Sequence, residues 1–272
     1  MSSKDPQRGV ANWFAVPLLV AALVTAGCSS TPDAPTGQNA EKLYREAKDD
    51  LQSGSYERAI KGLERVEGLG AGSLLAQQAQ LDLAYAYWRT NERAQALTTI
   101  ERFIKLNPSS PALDYAMYLR GIVNFNDDLG LLGSLFGQDL SERDQRAARD
   151  SFAAFKLLVD QFPDSKYTPD AQARMRYIVD ALASYEVHVA RYYFRRGAYV
   201  AAANRAQQAV TEFQQSPAAE EALAIMVRSY DRLQLAQLRD DAERVLRASY
   251  PSSRYLAGAD IGAINRPWWK LW

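Results

Sequence analysis

Cysteine and histidine are almost missing from this sequence: its 272 residues hold one of each, Cys28 and His188. One thiol cannot close an internal disulfide, so the fold must rest on its core. A transition-metal site of paired histidines, or of histidine with cysteine, has no ligands to draw on. A serine triad would depend on His188 alone, which lies between Val187 and Val189, and no Gly-x-Ser-x-Gly elbow is present. Charge of one sign is lacking too, since 32 basic residues balance 32 acidic ones. That balance, with no basic tract, leaves nucleic acid out as a partner. The glycines Gly130, Gly133 and Gly137 lack the lysine that a phosphate loop needs. Asp127-Asp128 and Asp240-Asp241 are the remaining acid pairs, read as solvated faces or caps before any catalytic use. No enzyme activity, cofactor or metal is implied. Beyond residue 40 there is little alternating β-branched sequence, so strands are not expected.

What the chain does have begins at its N-terminal end. Lys4 and Arg8 precede an apolar run from Trp13 to Val24, and the small residues Thr25-Ala26-Gly27 separate that run from Cys28. A basic region, an apolar region and small residues form a secretory signal. The run is short of the ~20 residues of a membrane span. With Cys28 directly after the small residues, the segment resembles a bacterial lipobox, although Thr25 stands where that motif usually has leucine. The resemblance implies cleavage before Cys28 and acylation of its thiol, with residues 1–27 removed. An ordinary secretory signal with an incidental cysteine is the alternative. Ser29, where aspartate would signal inner-membrane retention in enterobacterial-type sorting, implies the outer membrane. Residues 28–39 carry Pro32, Pro35 and Gly37 and read as a tether.

The remainder repeats. Ala47 to Ala59 aligns with Ala84 to Ala96 at an offset of 37, and Ala190 to Ala202 returns the same frame. Each unit places a small residue in a first helix, a glycine or asparagine at a turn, and an alanine in a second helix. The turn residues Gly54, Asn91 and Gly197 suit a left-handed helix end. Leu106-Asn107-Pro108-Ser109-Ser110, Phe162-Pro163-Asp164-Ser165, Phe213 to Pro217 and Tyr250-Pro251-Ser252-Ser253 each close a helix and offer a Ser or Asp cap to the next. The spacing predicts five helix pairs at about 40–70, 75–107, 111–163, 168–215 and 217–250: an all-α solenoid that resembles the tetratricopeptide repeat. Ala84, Tyr87, Ala96 and Pro108 occupy its signature positions. Repeats one to three form an N-terminal module, 40–163, and repeats four and five a C-terminal module, 164–255. One long helix from Thr168 to about Arg196 joins them. Residues 126–141 are an apolar, glycine-punctuated insertion, read either as a packed loop or as a partner contact. An aromatic tail, 256–272, ends with Trp268, Trp269 and Trp272.

Several segments together resemble the BamD (ComL/YfiO) family of outer-membrane β-barrel assembly lipoproteins. They are Leu81 to Tyr87, Ile100 to Pro108, Asp114-Tyr115-Ala116-Met117-Tyr118-Leu119-Arg120-Gly121, Asp139 to Phe152, and Tyr185 through Arg196-Gly197-Ala198-Tyr199-Val200-Ala201. The similarity runs from about 38 to 250 and leaves the tail outside. The resemblance implies a non-enzymatic scaffold at the periplasmic face of the outer membrane, held by its lipid anchor. Its implied partners are the last POTRA domain of BamA, other Bam lipoproteins and the C-termini of unfolded outer-membrane proteins. The first helices would line a concave face, presenting Gln78, Asp82, Tyr85 and Arg89, then Tyr115, Tyr118, Leu119 and Ile122. Rings with Arg89, Arg102, Lys105 or Arg120 would take an aromatic residue that bears a free carboxylate. Arg196 and Arg205 fall where the family meets BamA; solvated helix arginines are the plain alternative. Another envelope repeat scaffold, in division or cell-wall coordination, stays open beside this reading, as does a carboxylate-using envelope enzyme.

Overall fold

The computed structural model describes residues 37–70, 72–125 and 145–261. Among these, ten helices run in antiparallel pairs: α1 (Gly37–Gln52) with α2 (Tyr56–Leu69), α3 (Leu74–Arg89) with α4 (Arg93–Leu106), α5 (Leu113–Asn124) with α6 (Gln145–Gln161), α7 (Thr168–Arg195) with α8 (Tyr199–Glu212), and α9 (Ala218–Arg232) with α10 (Ala236–Ser249). The first helix begins at Gly37, three residues before the expected start. The signal, Cys28, the insertion and the tail from residue 262 lie outside the described residues.

The four turns inside pairs that lie among the described residues share one hydrogen-bonding device. At Gly54 (φ 77°), Asn91 (φ 64°), Gly197 (φ 76°) and Gln234 (φ 59°) the chain enters the left-handed region. In each case that residue's N–H bonds the carbonyl three back, and the next N–H bonds the carbonyl five back: Gly54 to Leu51 and Ser55 to Asp50, then Asn91 to Trp88 and Glu92 to Tyr87. Gly197 and Ala198 do the same with Phe194 and Tyr193, as do Gln234 and Leu235 with Asp231 and Tyr230. This Schellman pairing satisfies the carbonyls that a helix end strands. The turns that follow the second, third, fourth and fifth pairs share a second device. The hydroxyls of Ser110, Ser165, Ser216 and Ser253 accept the N–H two residues on, at 3.4, 3.2, 3.3 and 3.3 Å.

Small residues let the helices close up. Ala47, Ala84 and Ala190 are buried at the crossings, as the repeat frame requires. Gly121 on α5 is the tightest approach: a Cβ there would sit 2.3 Å from Cε1 of Phe155 on α6. The Gly121 carbonyl also accepts the buried Ser151 hydroxyl at 2.9 Å. A core of Leu113, Met117, Ile122, Phe155, Leu158, Ile178, Leu182 and Phe213 runs from α5 through α6 and α7 to the end of α8. The 28-residue α7 is thus packed on both third-repeat helices and on its own partner. First helices also touch one another, α1 with α3, α3 with α5 and α7 with α9, so they form a continuous face.

Candidate peptide-binding face

That face carries a row of tyrosines, carboxylates and cations. Asp82 on α3 accepts the Tyr44 hydroxyl at 2.6 Å and the Lys48 ammonium at 3.0 Å, both from α1. Burial, then donation to Asp82, pushes the Tyr44 phenol up, and Gln78 lies beside it. Tyr115 on α5 is held neutral by burial and by the nearby Asp82 charge. Its ring meets Tyr167 at 5.4 Å, and Tyr118 stacks on Tyr167 at 4.7 Å with planes 19° apart. The Tyr118 hydroxyl donates to Asp170 at 2.8 Å, and Arg174 Nε donates to the same oxygen at 2.6 Å. Burial alone would raise the Asp170 carboxyl, but those two donors hold it below the usual range. Such charge-assisted bonds fix α5 to the start of α7.

Between these helices lies an open groove of about 670 Å³. Leu74, Leu81, Phe103, Pro111, Tyr115 and Tyr167 supply its apolar lining, and Asp82, Asp114, Asp164 and Lys166 its charges. Asp114 already accepts the Ser165 hydroxyl at 2.7 Å. A groove with three carboxylates favours an apolar or aromatic residue over a peptide carboxylate.

The cation suited to a carboxylate stands elsewhere on the face. Arg89 donates to the Tyr85 hydroxyl at 2.8 Å, and its guanidinium lies 4.7 Å from the Tyr56 ring, 5.8 Å from Tyr85 and 5.9 Å from Trp88. No carboxylate among the described residues pairs with it. Rings orient the guanidinium without neutralising it, and its remaining N–H groups can form a bidentate clamp. Gln78 and Arg89 are eleven residues apart on α3, or about 16 Å along the helix.

Other expected residues are not brought to this face. Leu119 and Ile122 are 2% and 8% exposed and belong to the core, because α5 packs against α4 on one side and α6 on the other. Arg120 turns toward α4 and pairs with Glu101 at 3.2 Å. Arg102 lies in a groove on the second-helix side and pairs with Glu67 at 2.8 Å. In that groove Tyr87 donates to Glu64 at 2.7 Å, and burial with this bond pushes its phenol up to about 12. Lys105 stands exposed on α4. Conversely, Tyr44, Lys48, Tyr167, Asp170 and Arg174 belong to the face and were not picked out from sequence. The repeat frame held a signal for one of them, since Lys48 follows Ala47 as Tyr85 follows Ala84.

At the other end of the solenoid, Arg196 stacks on Tyr192 at 5.4 Å and donates to its hydroxyl at 3.2 Å. No carboxylate among the described residues pairs with Arg196, and Tyr192 is 51% exposed. Arg205 differs: it donates to Glu186 at 3.1 Å, and the Glu186 side chain is 3% exposed against 43% for Arg205. Arg205 is therefore the counter-charge of a buried glutamate, whatever else it meets. His188 is exposed on α7. Among the described residues no cluster of His, Cys, Asp or Glu is placed to hold a metal, and no helix is long and apolar enough to cross a membrane.

Known proteins resemble this chain over most of its length. The outer membrane protein assembly factor BamD of Neisseria meningitidis serogroup A is 48% identical over 232 residues, which is 85% of this chain and 86% of that protein. The same-named protein of Neisseria gonorrhoeae is 46% identical over 257 residues, 94% of this chain and 96% of that one. That of Vibrio cholerae is 36% identical over 84% of this chain and 95% of its own. Residues 36–246, from α1 to Leu246 of α10, match the YfiO family, described as outer membrane lipoprotein, and the chain belongs to that family.

Proposed function

We propose that this chain is a non-catalytic scaffold of the machinery that assembles β-barrel proteins in the outer membrane. In this reading Cys28 carries the lipid anchor at the periplasmic face, and other Bam lipoproteins join the complex. The first-helix face of repeats one to three receives the C-terminal segment of an unfolded barrel protein. Arg89 takes the terminal carboxylate, and the groove between Tyr115, Tyr167 and Leu74 takes an apolar or aromatic side chain further up the peptide. Gln78, which lines the groove, lies about 16 Å from Arg89 along α3, corresponding to about five residues of extended chain. Gln78, Asp82 and Tyr85 lie along the path. The observation that carries the reading is the Arg89 guanidinium, set among three rings with no carboxylate partner among the described residues.

The C-terminal module docks the POTRA region of a BamA-like protein in the same reading. Arg196 offers an exposed charge beside the half-exposed Tyr192, the pairing of arginine and aromatic that protein interfaces favour. Arg205 contributes its exposed edge and holds Glu186. Arg196→Glu is therefore the cleaner docking variant, because Arg205→Glu would also leave two carboxylates facing each other.

Purification in detergent through this chain tests the assignment. A barrel protein with POTRA domains should dominate the recovered partners, and Arg196→Glu should reduce it. Recovery of division or cell-wall proteins in its place would contradict the proposal. Cys28→Ser should remove the protein from the outer-membrane fraction; unchanged fractionation would contradict the anchor.

A further inference from the structure

The groove on the second-helix side has a chemistry of its own. α2 and α4 both pack on α3, and between them lies an open groove of about 390 Å³ over Leu83 and Tyr87 of α3. These two residues are four apart and form a separate stripe from Gln78, Asp82, Tyr85 and Arg89. Glu64 and Glu67 of α2 line one wall, and α4 supplies the other.

The side-chain donors that line the groove are already engaged within the protein. Tyr87 donates to Glu64 at 2.7 Å, Gln95 Nε2 to Glu92 at 3.0 Å, and the Thr98 hydroxyl to the Ala94 carbonyl at 2.8 Å. Arg102 Nη2 faces both oxygens of Glu67, at 2.8 and 3.1 Å. Acceptors are left over: the second oxygen of Glu64 and the side-chain oxygen of Gln95 have no partner among the described residues. Burial first, then Glu64, Glu92 and Glu67, pushes the Tyr87 phenol up, so the single Arg102 does not neutralise the site.

Thr99 points the same way independently. It lines the groove, is 5% exposed, and its hydroxyl has no hydrogen-bond partner among the described residues. Thr98 beside it satisfies its hydroxyl on the carbonyl four residues back, and Thr99 does not. Buried hydroxyls are normally paired, so one that opens into a groove asks for a polar atom from outside.

We propose that this groove binds a basic side chain, lysine or arginine, presented by an extended segment of a partner protein. The floor of Leu83, Ala94 and the Tyr87 ring takes the methylene stem. The surplus of acceptors takes a head group that only donates, as ammonium and guanidinium do. A charge-assisted bond to Glu64 and a bond to the Thr99 hydroxyl hold it. The groove shares no residue with the proposed peptide path or with the C-terminal docking end, so the two readings stand or fall separately.

A defined peptide tests it: acetyl-Gly-Ser-Ala-Ser-Lys-Ser-Ala-Ser-Gly-amide, against its norleucine counterpart, which keeps the stem and loses the charge. Titration calorimetry with the full chain in detergent should show the lysine peptide binding at least tenfold more tightly. Glu64→Gln should weaken it at least fivefold, and Arg89→Gln should leave it unchanged. Thr99→Val should weaken it at least threefold and yet raise Tm, because the valine removes an unpaired buried hydroxyl. Carbodiimide coupling of the peptide lysine should fall on Glu64 or Glu67. Equal affinity for the two peptides, no binding of either at millimolar concentration, or coupling spread over other carboxylates would overturn the proposal. So would a Thr99→Val chain with lower Tm and the parent's affinity, the result expected of a hydroxyl that only packs or holds water.

Discussion

Gly121→Ala isolates the packing that holds α5, and with it Tyr115 and Tyr118, in place. An added Cβ at residue 121 would meet Phe155 Cε1 at 2.3 Å, Cδ1 at 2.5 Å and Cζ at 2.8 Å. The Phe155 ring cannot swing away. It is fully buried, with Tyr118 6.0 Å and Phe125 6.3 Å from it. Nor can α5 back off freely, because the Ser151 hydroxyl bonds the Gly121 carbonyl. Overpacking of this kind costs about 1–3 kcal/mol, and the fixed ring places it at the upper end. Alanine returns about 1 kcal/mol of helix propensity. The net loss of about 2 kcal/mol lowers Tm by roughly 4–8 °C for a chain of this size. Gly68, also helical, has nothing within 4 Å of its would-be Cβ, so Gly68→Ala is the control and should leave Tm level or raise it. Combining Gly121→Ala with Phe155→Leu should cost less than the two single changes summed, because the smaller side chain gives the methyl room. Thermal melts by circular dichroism decide the matter. A Gly121→Ala chain as stable as the Gly68 control would refute the reasoning.

Other sites give sharper tests of particular devices. Gln234 takes φ 59° where the first, second and fourth repeats use glycine or asparagine, so Gln234→Gly should stabilise the fold by up to about 1 kcal/mol in chemical denaturation. Arg205→Ala would strand the buried Glu186 and cost about 1–3 kcal/mol, since Arg205 itself is partly solvated, and Arg205→Ala with Glu186→Gln should recover much of it. The raised phenols of Tyr44, Tyr87 and Tyr115 set an alkaline limit. Above pH ~10 the unfolded tyrosines release protons that the native ones keep, so stability falls as pH rises further. Absorbance of phenolate should show these three titrating late, with the cooperative unfolding; early titration of all tyrosines would contradict their burial.

Much of the fold was legible because each repeat writes its own punctuation. Gly54, Asn91 and Gly197 announce left-handed turns, and the serines after Asn107, Phe162, Phe213 and Tyr250 announce the next pair. The fifth turn was obscure because glutamine has no special liking for positive φ, so nothing in its type marks Gln234. The small residues at the crossings were readable, but the two sides of a first helix were not. A helix that packs against the pair before it and the partner after it buries a wide arc, which is why Leu119 and Ile122 read as groove and proved core. Cations were harder still. Arg102 and Arg120 are claimed by Glu67 and Glu101 across 35 and 19 residues, and no local pattern records such pairing. Arg89 has no such claimant among the described residues; the rings of Tyr56, Tyr85 and Trp88 gather around it, one of them brought from the preceding repeat. The pairing of Arg205 with Glu186, nineteen residues away, left no local pattern either.

Titration calorimetry with a synthetic peptide tests the central claim, that Arg89 and the neighbouring groove receive a barrel protein's aromatic C-terminus. The peptide should end in phenylalanine with a free carboxylate and carry a second aromatic residue five positions earlier. Affinity should fall at least tenfold when the carboxylate is amidated, and by a similar factor with Arg89→Gln. The two changes together should do little more than either alone, since both remove the same contact. Equal affinity for the free and amidated peptides, with Arg89→Gln folded and binding as the parent does, would contradict the account.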